Sequence, residues 1–261
     1  MSKKAFSLVE LSVVLIIIGL LAGSVSVASR LIEGARLQSV MKELNRIKTA
    51  SNVFQTTYGA LPGDLSNAMD YFSASDCDNI DGGTASNDKC NGDGNALIDL
   101  SNSETSCTER HNFWLHLAYA EILTAKVRDC SAYFKSTEFD NLAISAQNIT
   151  VAASNNADLG LYTNFFVLGQ TVAASLSGDA DATYDNVGSI FTPAQAKKLD
   201  DKLDDGVAYT GLLQGFNGED QAGSQGSGCS SNAVNASNST DYVTTNKTRE
   251  CYLVYPINLV F

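Results

Sequence analysis

The sequence predicts an α+β fold: a long N-terminal α-helix, half of it transmembrane, packed on a C-terminal head with an antiparallel β-sheet, long loops and disulfides. Three observations predict it. An apolar run near the start is long enough to cross a bilayer. Helical spacing of apolar residues continues well beyond that run. The rest of the 261 residues breaks into short apolar segments divided by Gly-, Ser-, Asn- and Asp-rich stretches, and all six cysteines lie there.

Phe6 to Val27 spans 22 residues that are apolar apart from Glu10 and a few Ser and Gly. A bilayer core needs about 20. Lys3 and Lys4 precede the run and hold the N-terminus in the cytoplasm. Three readings compete. One is a secretory signal cut after Ser26-Val27-Ala28, which roughly fits the small-x-small rule. Another is an uncleaved anchor. The third is a leader cut before the apolar run, which then stays in the mature chain. Glu10 bears on the choice. A carboxylate in a membrane helix costs up to about 2.5–3.5 kcal/mol at the centre and less near the edge. An ordinary signal has no use for one.

The segment Ala5-Phe6-Ser7-Leu8-Val9-Glu10-Leu11, followed by Val13 to Ala22, resembles the leader of the type IV pilin and type II secretion pseudopilin family in order and spacing. Ala5 stands where the family usually has Gly, and the Pro that many members carry further along is absent. The resemblance implies a prepilin peptidase that cuts Ala5–Phe6 and methylates the Phe6 amine. It also implies an assembly platform and ATPase, and a homo- or hetero-polymer of pilin-like subunits. The chain would sit in the bacterial inner membrane with its head in the periplasm, and then in a pilus or pseudopilus. In that family the carboxylate at the Glu10 position pairs with the N-terminal amine of a neighbouring subunit. Gly19 and Gly23 form a Gly-x-x-x-Gly spacing that lets helices approach closely.

Beyond the apolar run, Leu37, Val40, Met41, Leu44, Ile47, Ala50, Phe54 and Tyr58 fall mostly three or four apart. One helix over 6–58 would be roughly 80 Å long. Gly59 is the expected C-cap, and Leu61-Pro62-Gly63-Asp64 reads as a turn. The domain division is therefore a leader at 1–5, an assembly helix at 6–58 and a head at 59–261. Charge changes at the same boundary, from +4 over residues 1–58 to −16 over the rest, within a total of −12.

In the head, helices are expected at Glu109–Thr124 and from Thr192-Pro193 to near Gly206. The second opens with a capping box, Thr192 with Gln195. Strands are expected at Leu142–Ala153, Leu161–Leu168, Val207–Leu213 and Cys251–Leu259. Ser73–Asn95 and Gly215–Thr240 read as loops. His111 and His116 are five apart, too far around a helix to share a metal, and are expected at the core edge or surface.

Cys77, Cys90, Cys107, Cys130, Cys229 and Cys251 suit an oxidising compartment. Pairing of sequence neighbours gives 77–90, 107–130 and 229–251. The absence of any Cys-x2–4-Cys pair argues against zinc. Two acidic groups are candidate Ca²⁺ ligands: Asp88, Asn91, Asp93 and Asn95, and Asp200, Asp201, Asp204 and Asp205. In the second, like charges four apart near a helix C-terminus need an offset. Candidates are a cation, Lys197, Lys198 or Lys202, or backbone amides of the next turn.

The acidic balance argues against nucleic acid, which needs clustered cations. There is no P-loop, His-Glu-x-x-His or dinucleotide fingerprint, and no catalytic residue is assigned. The expectation is a structural subunit rather than an enzyme. The alternative is a membrane-anchored periplasmic binding protein or enzyme whose acidic head does the work and whose N-terminus is a tether.

Overall fold

A computed structural model describes residues 7–72, 90–99, 109–123, 134–136, 139, 141–148, 164–171, 187–218, 228–231 and 241–257. Helix α1 runs Leu8–Tyr58, 51 residues without a break. No proline precedes residue 62, so every interior amide can reach the carbonyl four residues back. The helix stops at Gly59, whose φ of 76° is left-handed. Its amide donates to the Gln55 carbonyl at 2.9 Å. Glycine takes that conformation without a Cβ clash, so the expected C-cap is the observed one.

The environment of α1 changes along its length. The described side chains from Leu8 to Ile32 are exposed. From there on Leu37, Val40, Leu44, Ile47, Ser51 and Phe54 are buried at alternating spacings of three and four. That is the seam of a helix lying on a core. α1 alone among the described residues is long and apolar enough to cross a membrane.

The chain leaves α1 through Leu61-Pro62-Gly63-Asp64. The Asp64 amide donates to the Leu61 carbonyl at 3.2 Å. Gly63 has a φ of 91°, as the third residue of a type II turn requires. Helix α2 spans Glu109–Tyr119, and every residue from Phe113 to Leu117 is buried. It stops short of the expected Thr124. Glu121 turns left-handed at φ 57°, and the amides of Glu121 and Ile122 fold back on Ala118 and Leu117. Such a Schellman closure ends a helix.

The strands are β1 (Phe134–Lys135), β2 (Leu142–Asn148), β3 (Asn164–Thr171), β4 (Val187–Gly188), β5 (Gln214–Asn217) and β6 (Cys251–Pro256). They form one antiparallel sheet in the order β1-β2-β3-β6-β5, with β4 paired to the end of β3. Phe166 faces Ala146 on one side and Tyr255 on the other. Consecutive residues of β3 and β6 are buried, so the central strands are covered on both faces. Residues 149–153, 161–163 and 258–259 of the expected strands lie outside the described residues.

One expected strand is overturned. Val207–Leu213 is a run of turns and bends, and the strand begins at Gln214, at the edge of what reads as a loop. The reason is competition for backbone amides. Carboxylates of Asp204 and Asp205 take the amides of Leu212, Leu213 and Val207. Gly206 and Gly211, both at positive φ, break extension at either end.

Helix α3 (Pro193–Leu203) starts as its sequence predicts. Thr192 Oγ1 accepts from the Gln195 amide at 3.3 Å, and Gln195 Oε1 accepts from the Thr192 amide at 2.9 Å. Ala196 and Leu199 are buried. α2 lies against β2, α3 against β5 and β6, and α1 against both helices. Lys48 Nζ on α1 reaches the sheet directly, donating to the Tyr255 hydroxyl at 3.0 Å.

Candidate functional site

Three places in the structure carry chemistry. The first is the start of α1. Ser7 is the N-cap, and Glu10 Oε2 accepts from its backbone amide at 2.9 Å. This capping box satisfies amides that a helix N-terminus leaves without partners. Glu10 is therefore the acidic residue of the first turn, with the exposed apolar half of α1 beyond it. Gly19 and Gly23 lie in that half, with nothing within 4 Å of the place a Cβ would take. Ala5 and Phe6 lie outside the described residues.

The second place is a group of carboxylates from three segments: Asp64, the last residue of the turn that follows α1, Asp93 in the 90–99 segment, and Glu109 at the start of α2. One oxygen from each lies within 4.8 Å of the others. The backbone brings them together. Glu109 Oε1 and Oε2 accept from the amides of Asp93 and Asp99, both at 2.8 Å. Asp64 Oδ2 accepts from the Ala96 amide at 2.9 Å. The Gly92 amide donates to the Leu65 carbonyl at 3.0 Å. A Cβ at Gly92 would collide with Asp64, so the close approach needs glycine there. Asp64 and Glu109 are buried and Asp93 is exposed. Burial is the largest cause of the raised pKa of Asp64 and of Glu109, the latter to about 7.

Of the first predicted Ca²⁺ group, only Asp93 lies in this cluster. Asn91 Oδ1 accepts from the Met69 amide at 3.1 Å. Asn95 Oδ1 accepts from Leu97, and its Nδ2 donates to Asp93 and Asp99. Asp88 lies outside the described residues. Sequence reasoning missed Asp64 and Glu109 as members. Their only local signals were a turn motif and an acid at a helix start, both common. What joins them is tertiary.

His116 sits beside this cluster and corrects the expectation of a core-edge or surface residue: it is fully buried. Its Nδ1 accepts from the Gly63 amide at 2.9 Å, and Nε2 lies 2.8 Å from the Cys90 carbonyl. An amide can only donate, so Nδ1 is bare and Nε2 carries the proton. Burial lowers the His116 pKa to about 4.

The third place is the end of α3. Asp200 is fully buried. Its Oδ1 accepts from the Gly206 amide at 3.2 Å and its Oδ2 from the Tyr242 hydroxyl at 2.9 Å. Asp205 accepts from Val207 and Thr210, and Asp204 from Leu212 and Leu213. Asp201 pairs with Lys197 Nζ at 2.9 Å. These amides, the Tyr242 hydroxyl and Lys197 supply the offset that the like-charge spacing requires. Asp200, Asp204 and Asp205 do converge, but as a capping hub whose oxygens hold the next turn. Burial is the largest cause of the Asp200 pKa being raised to about 7.

The Cys229–Cys251 disulfide forms as its spacing suggests, tying the 228–231 segment to β6. Cys90 is also disulfide-bonded. The expected pairings 77–90 and 107–130 involve Cys77, Cys107 and Cys130, which lie outside the described residues. No protein-family model, curated protein or solved structure matches this chain.

Proposed function

We propose that the chain is a pilin-like structural subunit, cut by a prepilin peptidase at Ala5–Phe6 and polymerised into a type IV pilus or secretion pseudopilus. The observation that carries the reading is the character of α1. It is one unbroken helix whose residues from Leu8 to Ser29 are all apolar, Ser or Gly, apart from a single acid, Glu10, in its first turn. Its second half is the seam of the head. A subunit of this shape can leave lipid, bury its first half among copies of itself and display its head outside. Gly19 and Gly23 leave room for close helix contact. The leader resemblance described above supports the same reading.

Mass spectrometry of protein from the native host tests it. The expected chain starts at N-methylated Phe6, and shearing of cells is expected to release filaments that contain it. A chain starting at Ser29 would overturn the proposal and favour an ordinary signal peptide.

A further inference from the structure

We infer that Asp64, Asp93 and Glu109 form a Ca²⁺ site that fastens the 90–99 segment and the start of α2 to the turn after α1. Two independent observations point to it. The first is geometric. Three carboxylate oxygens from three segments lie within 4.8 Å of one another. Oxygens on opposite sides of a Ca²⁺ ion, at 2.3–2.6 Å each, are about 5 Å apart. The spread of the group therefore fits ligands of one such ion.

The second is an orphan atom. Asp64 is 3% exposed, and its Oδ1 has no hydrogen-bond donor. Its other oxygen is held by Ala96, so the carboxylate is fixed in place. A buried carboxylate oxygen without a partner is strongly unfavourable unless a proton or a cation meets it. Among the described residues no Lys or Arg forms an ion pair with any of the three acids. The α3 group differs at this point, because each carboxylate oxygen of Asp200 has a donor.

The donor set decides which cation. Carboxylate oxygens select a hard ion. Mg²⁺ demands near-octahedral ligands at 2.0–2.1 Å and keeps much of its water, whereas Ca²⁺ accepts a looser, wider cage. Asp93 is exposed, so the ion has a route in and a face on which to keep water ligands. The inference does not depend on filament assembly, since all three acids are in the head.

The experiment uses the full chain in detergent, stripped with a chelator and titrated with CaCl₂ near neutral pH by calorimetry. Thermal unfolding is followed in parallel. One Ca²⁺ per chain is expected, with a Kd at or below about 1 mM, the weak end for extracellular modules. Saturating Ca²⁺ should raise Tm by roughly 4 °C or more. Asp64→Asn should abolish both responses. Asp93→Asn changes an exposed residue, so it should fold like the parent and weaken binding about tenfold or more. If Asp64→Asn fails to fold, Asp93→Asn decides alone. No heat and no Tm shift in the parent would overturn the inference, leaving protons as the partners of these acids. So would unchanged binding by Asp93→Asn, which would put the ion elsewhere, or an equal response to MgCl₂, which would mark general screening.

Discussion

Glu10 has one role in the isolated chain and another in the proposed filament, and substitutions separate them. As a capping-box residue it accepts from the Ser7 amide. Losing a cap costs a helix about 1 kcal/mol, too little to unfold the 51 residues of α1. In a filament its carboxylate would meet the Phe6 amine of a neighbour in an apolar environment. An unpaired charge there costs several kcal/mol at each added subunit. Glu10→Val and Glu10→Gln are therefore expected to keep normal leader cleavage and membrane levels and to lose sheared filaments. Normal filament yield from Glu10→Val would leave the charge pairing without support, and a simple tether also predicts that yield. His116 makes a second single-residue case. Its pKa is lowered from 6.5 to about 4 by burial, so between those values the unfolded chain binds the proton and the folded chain does not. Its contribution is complete above about pH 6.5 and falls by up to about 3 kcal/mol as pH drops towards 4. Glu109 and Asp200, with raised pKa values, act in the opposite direction over part of that range. Bulk stability mixes these signs, so nitrogen NMR of the ring is the cleaner measurement. His116 is expected to stay in the neutral Nε2–H form at pH 5.5, and a cationic ring there would contradict the geometry.

α1 behaves as two elements joined end to end, and paired substitutions show the junction. Leu44 is 1% exposed in the seam and Leu31 is 70% exposed outside it. Leu44→Ala is expected to destabilise the head by about 2–5 kcal/mol. Leu31→Ala should leave the unfolding free energy within about 0.5 kcal/mol of the parent's. Chemical denaturation in detergent reads both. This helix was legible in the sequence because its signals are local: periodic apolar residues, no proline, and glycine at the end. α3 was legible for the same reason, through Thr192, Pro193 and Gln195. Val207–Leu213 was not. Its composition suits a strand, but Asp204 and Asp205 hold its amides, and nothing local reveals that. The carboxylate cluster was half legible. Asp93 lies in a run rich in oxygen-bearing side chains, whereas Asp64 and Glu109 join it only once the turn, the 90–99 segment and α2 have packed. His116 escaped because the amide and carbonyl that satisfy its ring come from positions 63 and 90.

For the whole molecule, the Cys229–Cys251 bridge ties a segment outside the sheet, 228–231, covalently to β6. Within the chain between its ends, one isolated bridge joins Ser230 to Tyr242, and among the described residues that chain is tied to the rest by side-chain hydrogen bonds, Ser230 to Tyr209 and Tyr242 to Asp200, with no extended ladder. The sequence separation is 22 residues, and closing a loop of that size stabilises by about 3 kcal/mol in the chain-entropy picture. Replacing both cysteines with Ala is therefore expected to lower stability by about 2–4 kcal/mol. It should also expose the segment to limited proteolysis while α1 and α2 stay protected. Protection of that segment equal to the parent's would mean that Asn217, which accepts from the Cys229 amide, and Tyr242 suffice.

The unbroken passage of α1 from its exposed half into the core has a mechanical consequence. A pull on the N-terminal end acts along the helix axis, and the seam lies parallel to that axis. Leu37, Val40, Leu44, Ile47 and Phe54 are then loaded together in shear; none is peeled away ahead of the others. To yield, the helix must slide by about one turn, roughly 5 Å, with every side chain leaving its pocket at once. Tension entering through α1 is carried by its own hydrogen bonds and by this seam before any strand or loop of the head bears it.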